Sequence, residues 1–171
     1  MLGVNKTMNK LIGILLFCSV PLLVFGAEPI NNKNWENHPE VKKIRVLCNE
    51  INVAVKAGQL KRESKKCILY GGSFEIDCKM FKNQNGVVRK YVINAGSGDS
   101  VGHAEYYYDS KSTPRFTYRT RGSINGTKKW DFIYFDEKGS HLYTNRKQEG
   151  PGIPGSDLLD TIENPSAHYA D

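Results

Sequence analysis

Between Cys67 and Asn145 the chain consists of short segments in which apolar and polar residues alternate, separated by turn signals. In the clearest segment, Phe74 to Met80, every second residue is apolar, which predicts a strand with one buried face. Asn85-Gly86 and Asn125-Gly126 are strong hairpin signals. Because such local turns join antiparallel neighbours, the pattern predicts an antiparallel meander sheet of about six to seven strands.

A segment with helical periodicity precedes the strands. Pro39 is tolerated at a first helical position, and Gly58 is a natural stop. The apolar stripe of this segment consists of Val41, Ile44, Cys48, Ile51 and Val55. We therefore expect an α+β fold in which one N-terminal amphipathic helix packs on one face of the sheet.

The first 27 residues have the composition of an export signal. Lys6 and Lys10 precede an apolar stretch, Leu11 to Phe25, that is short and interrupted by proline and does not suit a membrane span. Small residues at Gly26-Ala27 permit cleavage before Glu28. We therefore expect a signal peptide that is removed, and a protein exported to the periplasm or secreted.

Composition divides the remaining chain into three parts. We expect residues 28–38 to be a flexible lead-in, residues 39–147 a single domain and residues 148–171 a Pro/Gly-rich acidic tail. Residues 28–147 include 22 basic and 13 acidic side chains, a net charge of +9, whereas the tail has five acidic residues and no lysine or arginine. Residues 28–171 together have a net charge of +4, which falls short of the concentrated basic surface expected of a nucleic-acid-binding protein.

The cysteine content is typical of an exported protein with one disulfide. Cys18 is lost with the signal, which leaves Cys48, Cys67 and Cys78. A two-residue turn at Gly72-Ser73 places Cys67 opposite Cys78, with Cα atoms about 5.5 Å apart, inside the disulfide range. We predict this disulfide. The alternative, Cys48 to Cys78, would join the helix to the sheet.

The Asn125-Gly126 turn predicts which side chains share a face of the sheet. A two-residue turn pairs Arg121 with Trp130 and Arg119 with Phe132. The predicted ridge, a candidate site for an anionic or planar ligand, consists of Arg119, Arg121, Trp130, Phe132 and Tyr134. The other face, with Phe116, Tyr118, Ile133 and Phe135, is assigned to the core beneath the helix. Arginine packed over aromatic rings is also an ordinary covering for an outer sheet face.

The chain contains no recognisable catalytic motif. Ser97 and Ser100 lie in a Gly-rich loop near His103, but the loop lacks the Gly-x-Ser-x-Gly spacing of a nucleophile elbow and the helix that a phosphate loop requires. His103 and Glu105, with His141 on another strand, lack the close spacing of metal ligands. We expect no catalytic residue, no metal and no cofactor.

Two segments of the chain have similar sequences. Tyr107-Tyr108-Asp109-Ser110-Lys111 and Tyr134-Phe135-Asp136-Glu137-Lys138 both place an aromatic pair before an acidic turn. Over about residues 101–145 this pattern resembles hairpin repeats of the MORN type. Two hairpins with similar turns account for this similarity equally well, and no function follows from it.

These features favour a non-enzymatic, exported binding protein. Its partner would be an envelope or extracellular protein or an anionic ligand, and we expect no nucleic acid and no membrane span after cleavage. One alternative is a small secreted hydrolase that uses the loop between residues 95 and 103. The other is a structural envelope component whose acidic tail covers the predicted ridge.

Overall fold

The computed structural model describes residues 28–69 and 74–152. They form one helix followed by seven strands of a single antiparallel sheet, in which the strands lie in their order along the chain. The predicted α+β meander is therefore confirmed. The elements are α1 (Pro39–Lys56), β1 (Lys61–Leu69), β2 (Phe74–Lys82), β3 (Val88–Gly96), β4 (Ser100–Tyr108), β5 (Pro114–Ser123), β6 (Lys128–Phe135) and β7 (His141–Glu149). Within these ranges, no helix has the length and apolar character needed to cross a membrane.

Local signals determine both ends of α1. Before its first residue, the Glu40 N–H donates to Nδ1 of His38, which caps the first turn. After its last residue, Gly58 adopts a φ of +70° and its N–H donates to a carbonyl of the last turn. The stripe residues that the helix buries are Val41, Ile44 and Ile51.

Four hairpins of the sheet use the same five-residue turn. In each, the first residue's N–H donates to the fifth residue's carbonyl, and the fourth residue's N–H donates to the first residue's carbonyl. The fourth residue has a positive φ, as in three-residue hairpin loops. The turns begin at Asn83, Asp109, Ser123 and Asp136. In all but the Ser123 turn, the Oδ1 atom of the first residue also accepts from the third and fifth N–H groups.

The predicted register of β2 against β3 is confirmed. Met80 pairs with Tyr91, and Cys78 pairs with Ile93. The loop has three residues where the sequence predicts two, but β3 contains one extra residue, Arg89, which restores the register.

The predicted register of β5 against β6 is wrong by one residue. The turn closes between Ser123 and Thr127, one residue earlier than a two-residue turn would close, and the ladder continues without a bulge. Arg119 therefore faces Asp131, where the prediction has Phe132. Because successive side chains of a strand point to opposite faces, this slip exchanges the faces of all β6 side chains relative to β5.

The two faces of the sheet bury different clusters. The helix face is the one that α1 covers, and Trp35 of residues 28–38 packs there as well. Its cluster comprises Val41, Ile44, Tyr134 and Tyr143, with Trp35, Phe116 and Phe132 packed against it. The opposite face buries an apolar cluster of Ile76, Cys78, Met80, Tyr91, Ile93, Ala104, Tyr106 and Tyr108. This apolar cluster belongs to β2, β3 and β4.

The cysteines are described only in part. Cys48 is a free thiol, so the alternative Cys48–Cys78 disulfide is not formed. Cys78 is disulfide-bonded, but no disulfide has both of its sulfur atoms among the described side chains. The register of β1 against β2 differs by two residues from the prediction, so Cys67 faces Ile76. The predicted Gly72-Ser73 turn lies outside the described residues. The bond between Cys67 and Cys78 stays a prediction.

Candidate functional site

The structure divides the predicted ridge between the two faces of the sheet. Arg119 and Arg121 lie on the opposite face, whereas Trp130, Phe132 and Tyr134 lie on the helix face. The cause is the one-residue slip between β5 and β6. The predicted Arg121–Trp130 and Arg119–Phe132 pairs are therefore wrong, and the arginines and aromatic rings form two separate surfaces.

On the opposite face, three arginines surround one buried carboxylate. Asp131 is 1% exposed and lies between Arg119 of β5 and Arg146 of β7. Its Oδ1 accepts from Nε of Arg146 at 2.6 Å, while its Oδ2 lies 3.5 Å from Nη2 of Arg121 and 3.8 Å from Nε of Arg119. Each arginine also makes at least one further interaction. We call these four residues the arginine cluster.

Sequence reasoning missed Asp131. A single acid between Trp130 and Phe132 gives no signal of its own, since an acidic residue on a solvent-facing strand position is common. The signal is that arginines occupy the facing positions, Arg119 and Arg146, on both neighbouring strands. That relation becomes visible only once the register of all three strands is known.

The helix face carries three rows of side chains across β4 to β7. The row beneath α1 is Tyr107, Phe116, Tyr134 and Tyr143; the second is Glu105, Tyr118, Phe132 and Asn145; the third is His103, Thr120, Trp130 and Lys147. Tyr134 is 2% exposed, with its ring 4.9 Å from that of Phe116 and 6.1 Å from that of Trp35. Tyr134 therefore belongs to the packing beneath the helix and is not accessible to a ligand.

The second and third rows form a surface that we call the aromatic surface, defined by His103, Tyr118, Trp130 and Phe132. The rings of Tyr118 and Phe132 lie 5.2 Å apart, and the His103 ring lies 6.5 Å from Tyr118. All four side chains are half-buried, and Lys147, which pairs with Trp130, is exposed. Rings that remain partly accessible beside a positive charge suit contact with an apolar group that has acidic neighbours.

A polar network borders the aromatic surface beneath the C-terminal half of α1. Glu105 accepts from the hydroxyl of Tyr107 and lies 3.0 Å from Nζ of Lys90 and 3.3 Å from Nε2 of His103. Lys90 also donates to Oδ1 of Asn52 on α1 at 2.8 Å. Burial raises the pKa of Glu105, but hydrogen bonds from His103, Tyr107 and Lys90 and the Lys90 charge outweigh it and lower that pKa to about 2. Glu105 is therefore ionised at neutral pH and helps to fasten α1 to β3 and β4.

The side chains of the alternative hydrolase site do not combine into a nucleophile and base. Ser97 Oγ lies 2.8 Å from Ser100 Oγ, and the two serines bond to each other. The ring nitrogens of His103 lie 2.8 Å from Oδ1 of Asn94 and 3.3 Å from Oε1 of Glu105. A shallow cavity of about 290 Å³ separates this loop from the β5–β6 turn. The Ser–His hydrogen bond that such catalysis requires is thus not made by these described side chains.

Other reactive groups are equally engaged. Nε2 of His141 lies 2.8 Å from the Thr144 hydroxyl on its own strand. Burial raises the pKa of the Cys48 thiol to about 12, which keeps it protonated and unreactive. Among residues 28–69 and 74–152, no three His, Cys, Asp or Glu side chains are grouped to hold a metal ion.

Comparison of the chain with protein families, with curated proteins and with solved structures gives no match.

Proposed function

We propose that the chain is an exported, non-enzymatic protein that binds an acidic polypeptide through the aromatic surface. The observation that carries the proposal is the grouping of Tyr118, Trp130 and Phe132, half-buried together on the part of the helix face beyond the row beneath α1. Trp and Tyr are enriched among the residues that contribute most of the binding energy at protein interfaces. The alternative hydrolase has no comparable support.

The charge of the domain supports an acidic partner. Lys147 lies beside Trp130. Residues 28–147 have a net charge of +9, and the acids of residues 148–171 lower the total for residues 28–171 to +4. Such a field accelerates association with an acidic molecule and disfavours a basic one. An apolar side chain of the partner would rest on the rings of Trp130 and Tyr118, and a neighbouring carboxylate would approach Lys147.

The dimensions of the aromatic surface suit a short stretch of polypeptide. Adjacent rows of a strand are about 7 Å apart and adjacent strands about 4.8 Å apart. Two rows across β4 to β7 therefore offer an area of roughly 7 by 14 Å, which accommodates two or three side chains of a bound segment.

Export is part of the proposal and rests on the leader. Lys6 and Lys10, the apolar stretch and the small residues at 26–27 are typical of a cleaved signal. The disulfide state of Cys78 supports an oxidising compartment. We infer Cys67 as its partner because Cys67 lies on the adjacent strand, whereas Cys48 is free.

The proposal is tested by comparing a variant of the aromatic surface with a variant of an exposed position on α1. The protein captures partners from extracytoplasmic extract, and the captured protein is purified and titrated against each variant. We expect Tyr118→Ala with Trp130→Ala to weaken its Kd by at least about tenfold, as for loss of a binding hot spot. Val46→Ala, which truncates a 58% exposed apolar side chain of α1, should leave the Kd unchanged.

A direct readout accompanies the titration. Trp130 and Trp35 are the two tryptophans of the chain, so Trp35→Phe makes Trp130 emission a reporter of the aromatic surface. We expect the purified partner to shift that emission and to be acidic. Equal affinity of the double variant and Val46→Ala, or a basic partner, would contradict the proposal.

A further inference from the structure

The opposite face is buried although no described segment crosses it. Tyr91 and Ile93 are each 1% exposed and Tyr106 is 3% exposed. The cluster that contains them draws its members only from β2, β3 and β4, while α1 and Trp35 pack on the helix face. An apolar sheet face needs a second layer to exclude water. Residues 28–69 and 74–152 contribute no such layer to this face.

The charge of the opposite face defines the chemistry of its covering layer. In β5 to β7 this face carries the arginine cluster, in which Arg119 and Arg121 are 8% and 7% exposed. Asp131 is the one acidic partner among their described contacts. Lys129 lies beside Arg121 in the next strand. Burying such an excess of positive charge is costly unless acidic groups accompany it. The covering layer therefore needs both apolar and acidic side chains.

Residues 153–171 meet both requirements. They contain four acidic residues and no lysine or arginine, together with apolar side chains at short spacings. The acidic residues are Asp157, Asp160, Glu163 and Asp171, and the apolar ones include Leu158, Leu159 and Ile162. Residues 1–27 have two lysines and no acid, and residues 70–73 are four uncharged residues, so neither complements the arginines.

The point where this segment leaves the sheet is fixed beside the arginine cluster. The Thr127 hydroxyl donates to the Gly152 carbonyl at 3.0 Å, and Asn125 donates to the same carbonyl. Gly150 packs so closely on the turn that an added Cβ would lie 2.9 Å from Cα of Thr127. Arg121 pairs with Lys129, two residues from Thr127, so the exit point adjoins the basic end of the face.

The segment is long enough to cross the sheet. Glu163 lies eleven positions after residue 152, and an extended chain of that length spans roughly 36 Å. Seven strands spaced about 4.8 Å apart measure roughly 29 Å across. We propose that residues 153–171 lie across the opposite face, where their acidic side chains pair with the arginine cluster and their apolar side chains cover the apolar cluster. This inference is independent of the proposed function.

Oxidation of Met80 tests the proposal in the full processed chain. Met80 is the single methionine of residues 28–171 and is 3% exposed within the apolar cluster. We expect the triple variant Asp157→Asn, Asp160→Asn, Glu163→Gln to raise the rate of sulfoxide formation by dilute peroxide by roughly tenfold, because uncovered methionine is oxidised readily. Mass spectrometry of the tryptic peptide measures the rate.

A second triple variant has the same change of charge at exposed acids elsewhere. Glu36→Gln, Glu50→Gln and Glu137→Gln should leave Met80 protected. If circular dichroism shows that the tail triple unfolds and the control triple does not, the tail acids are required for the folded state, which supports the proposal. Equal oxidation rates in the two folded triples would overturn it.

Carbodiimide crosslinking of the wild-type chain identifies the occupant directly. We expect crosslinks between Lys129 and the acidic residues of 153–171 within one molecule. Crosslinks from the tail only to lysines of α1 would overturn the proposal. So would crosslinks that form only between isotopically labelled and unlabelled copies, because they would assign the face to a second copy of the chain.

Discussion

Asp131→Asn is the substitution that most directly tests the arginine cluster. The amide has nearly the volume of the carboxylate but removes the negative charge that lies 2.6 Å from Nε of Arg146 and 3.5 Å from Nη2 of Arg121. Asp131 is 1% exposed, so water cannot reach this position to solvate the arginines once the negative charge is removed. Removing one partner of a buried ion pair costs roughly 3 to 5 kcal/mol. Because the amide oxygen still accepts a hydrogen bond, we expect the lower figure, about 3 kcal/mol.

Urea unfolding followed by circular dichroism measures this cost, and the matched control is Asp77→Asn. Asp77 pairs with Lys66 at 2.9 Å, but both side chains are about 60% exposed. Loss of such a surface pair should cost little stability, because water and salt screen both exposed charges. An unchanged m value establishes that the same transition is compared in each variant. If Asp131→Asn costs no more than Asp77→Asn, the reasoning is refuted, because the arginines would then be balanced without Asp131.

Three further outcomes are expected. Glu105 has a folded pKa of about 2 against an ordinary 4.5, so its stabilising contribution is present above pH 4.5 and is lost as the pH falls towards 2. Urea unfolding over that range should lose about 1.5 kcal/mol, after allowance for partial exposure, and Glu105→Gln should remove this part of the pH dependence. Non-reducing peptide mapping should find Cys67 joined to Cys78, and native Cys48 should resist alkylation; a Cys48 crosslink would contradict the assignment. Intact mass of the exported protein should correspond to a chain that begins at Glu28, and a retained leader would contradict export.

Element types and their order were predictable because they depend on local signals. The change from a helical period to a period of two separated α1 from the strands, and turn residues separated one strand from the next. Loop length was not predictable from the dipeptide alone. Asn85-Gly86 and Asn125-Gly126 both occur in three-residue loops, yet only the first hairpin regains the predicted register through the extra residue Arg89.

The candidate site was harder to predict than the fold because it depends on register at single-residue accuracy. The sequence correctly indicated that Arg119, Arg121, Trp130 and Phe132 lie on adjacent strands. Which of them share a face depends on whether the β5–β6 turn closes one residue earlier or later. The Asn125-Gly126 dipeptide by itself does not decide that, so the ridge was predicted as one surface where the structure has two.

The sequence similarity between the two aromatic–acidic segments reflects a structural repeat and not merely two similar turns. Turns begin at Asn83, Asp109 and Asp136, 26 and 27 residues apart, and an extra residue follows six positions later in each case, at Arg89, Arg115 and Leu142. The bulge arginines bond to the next unit: Nε of Arg89 donates to the carbonyl before the Asp109 turn, and Nε of Arg115 to the carbonyl before the Asp136 turn. The Ser123 turn, at the other end of the sheet, has no Asx side chain at its first position and no bulge. The bulges therefore recur with the Asx turns, and the slip at β5–β6 follows from applying one hairpin rule to two kinds of turn.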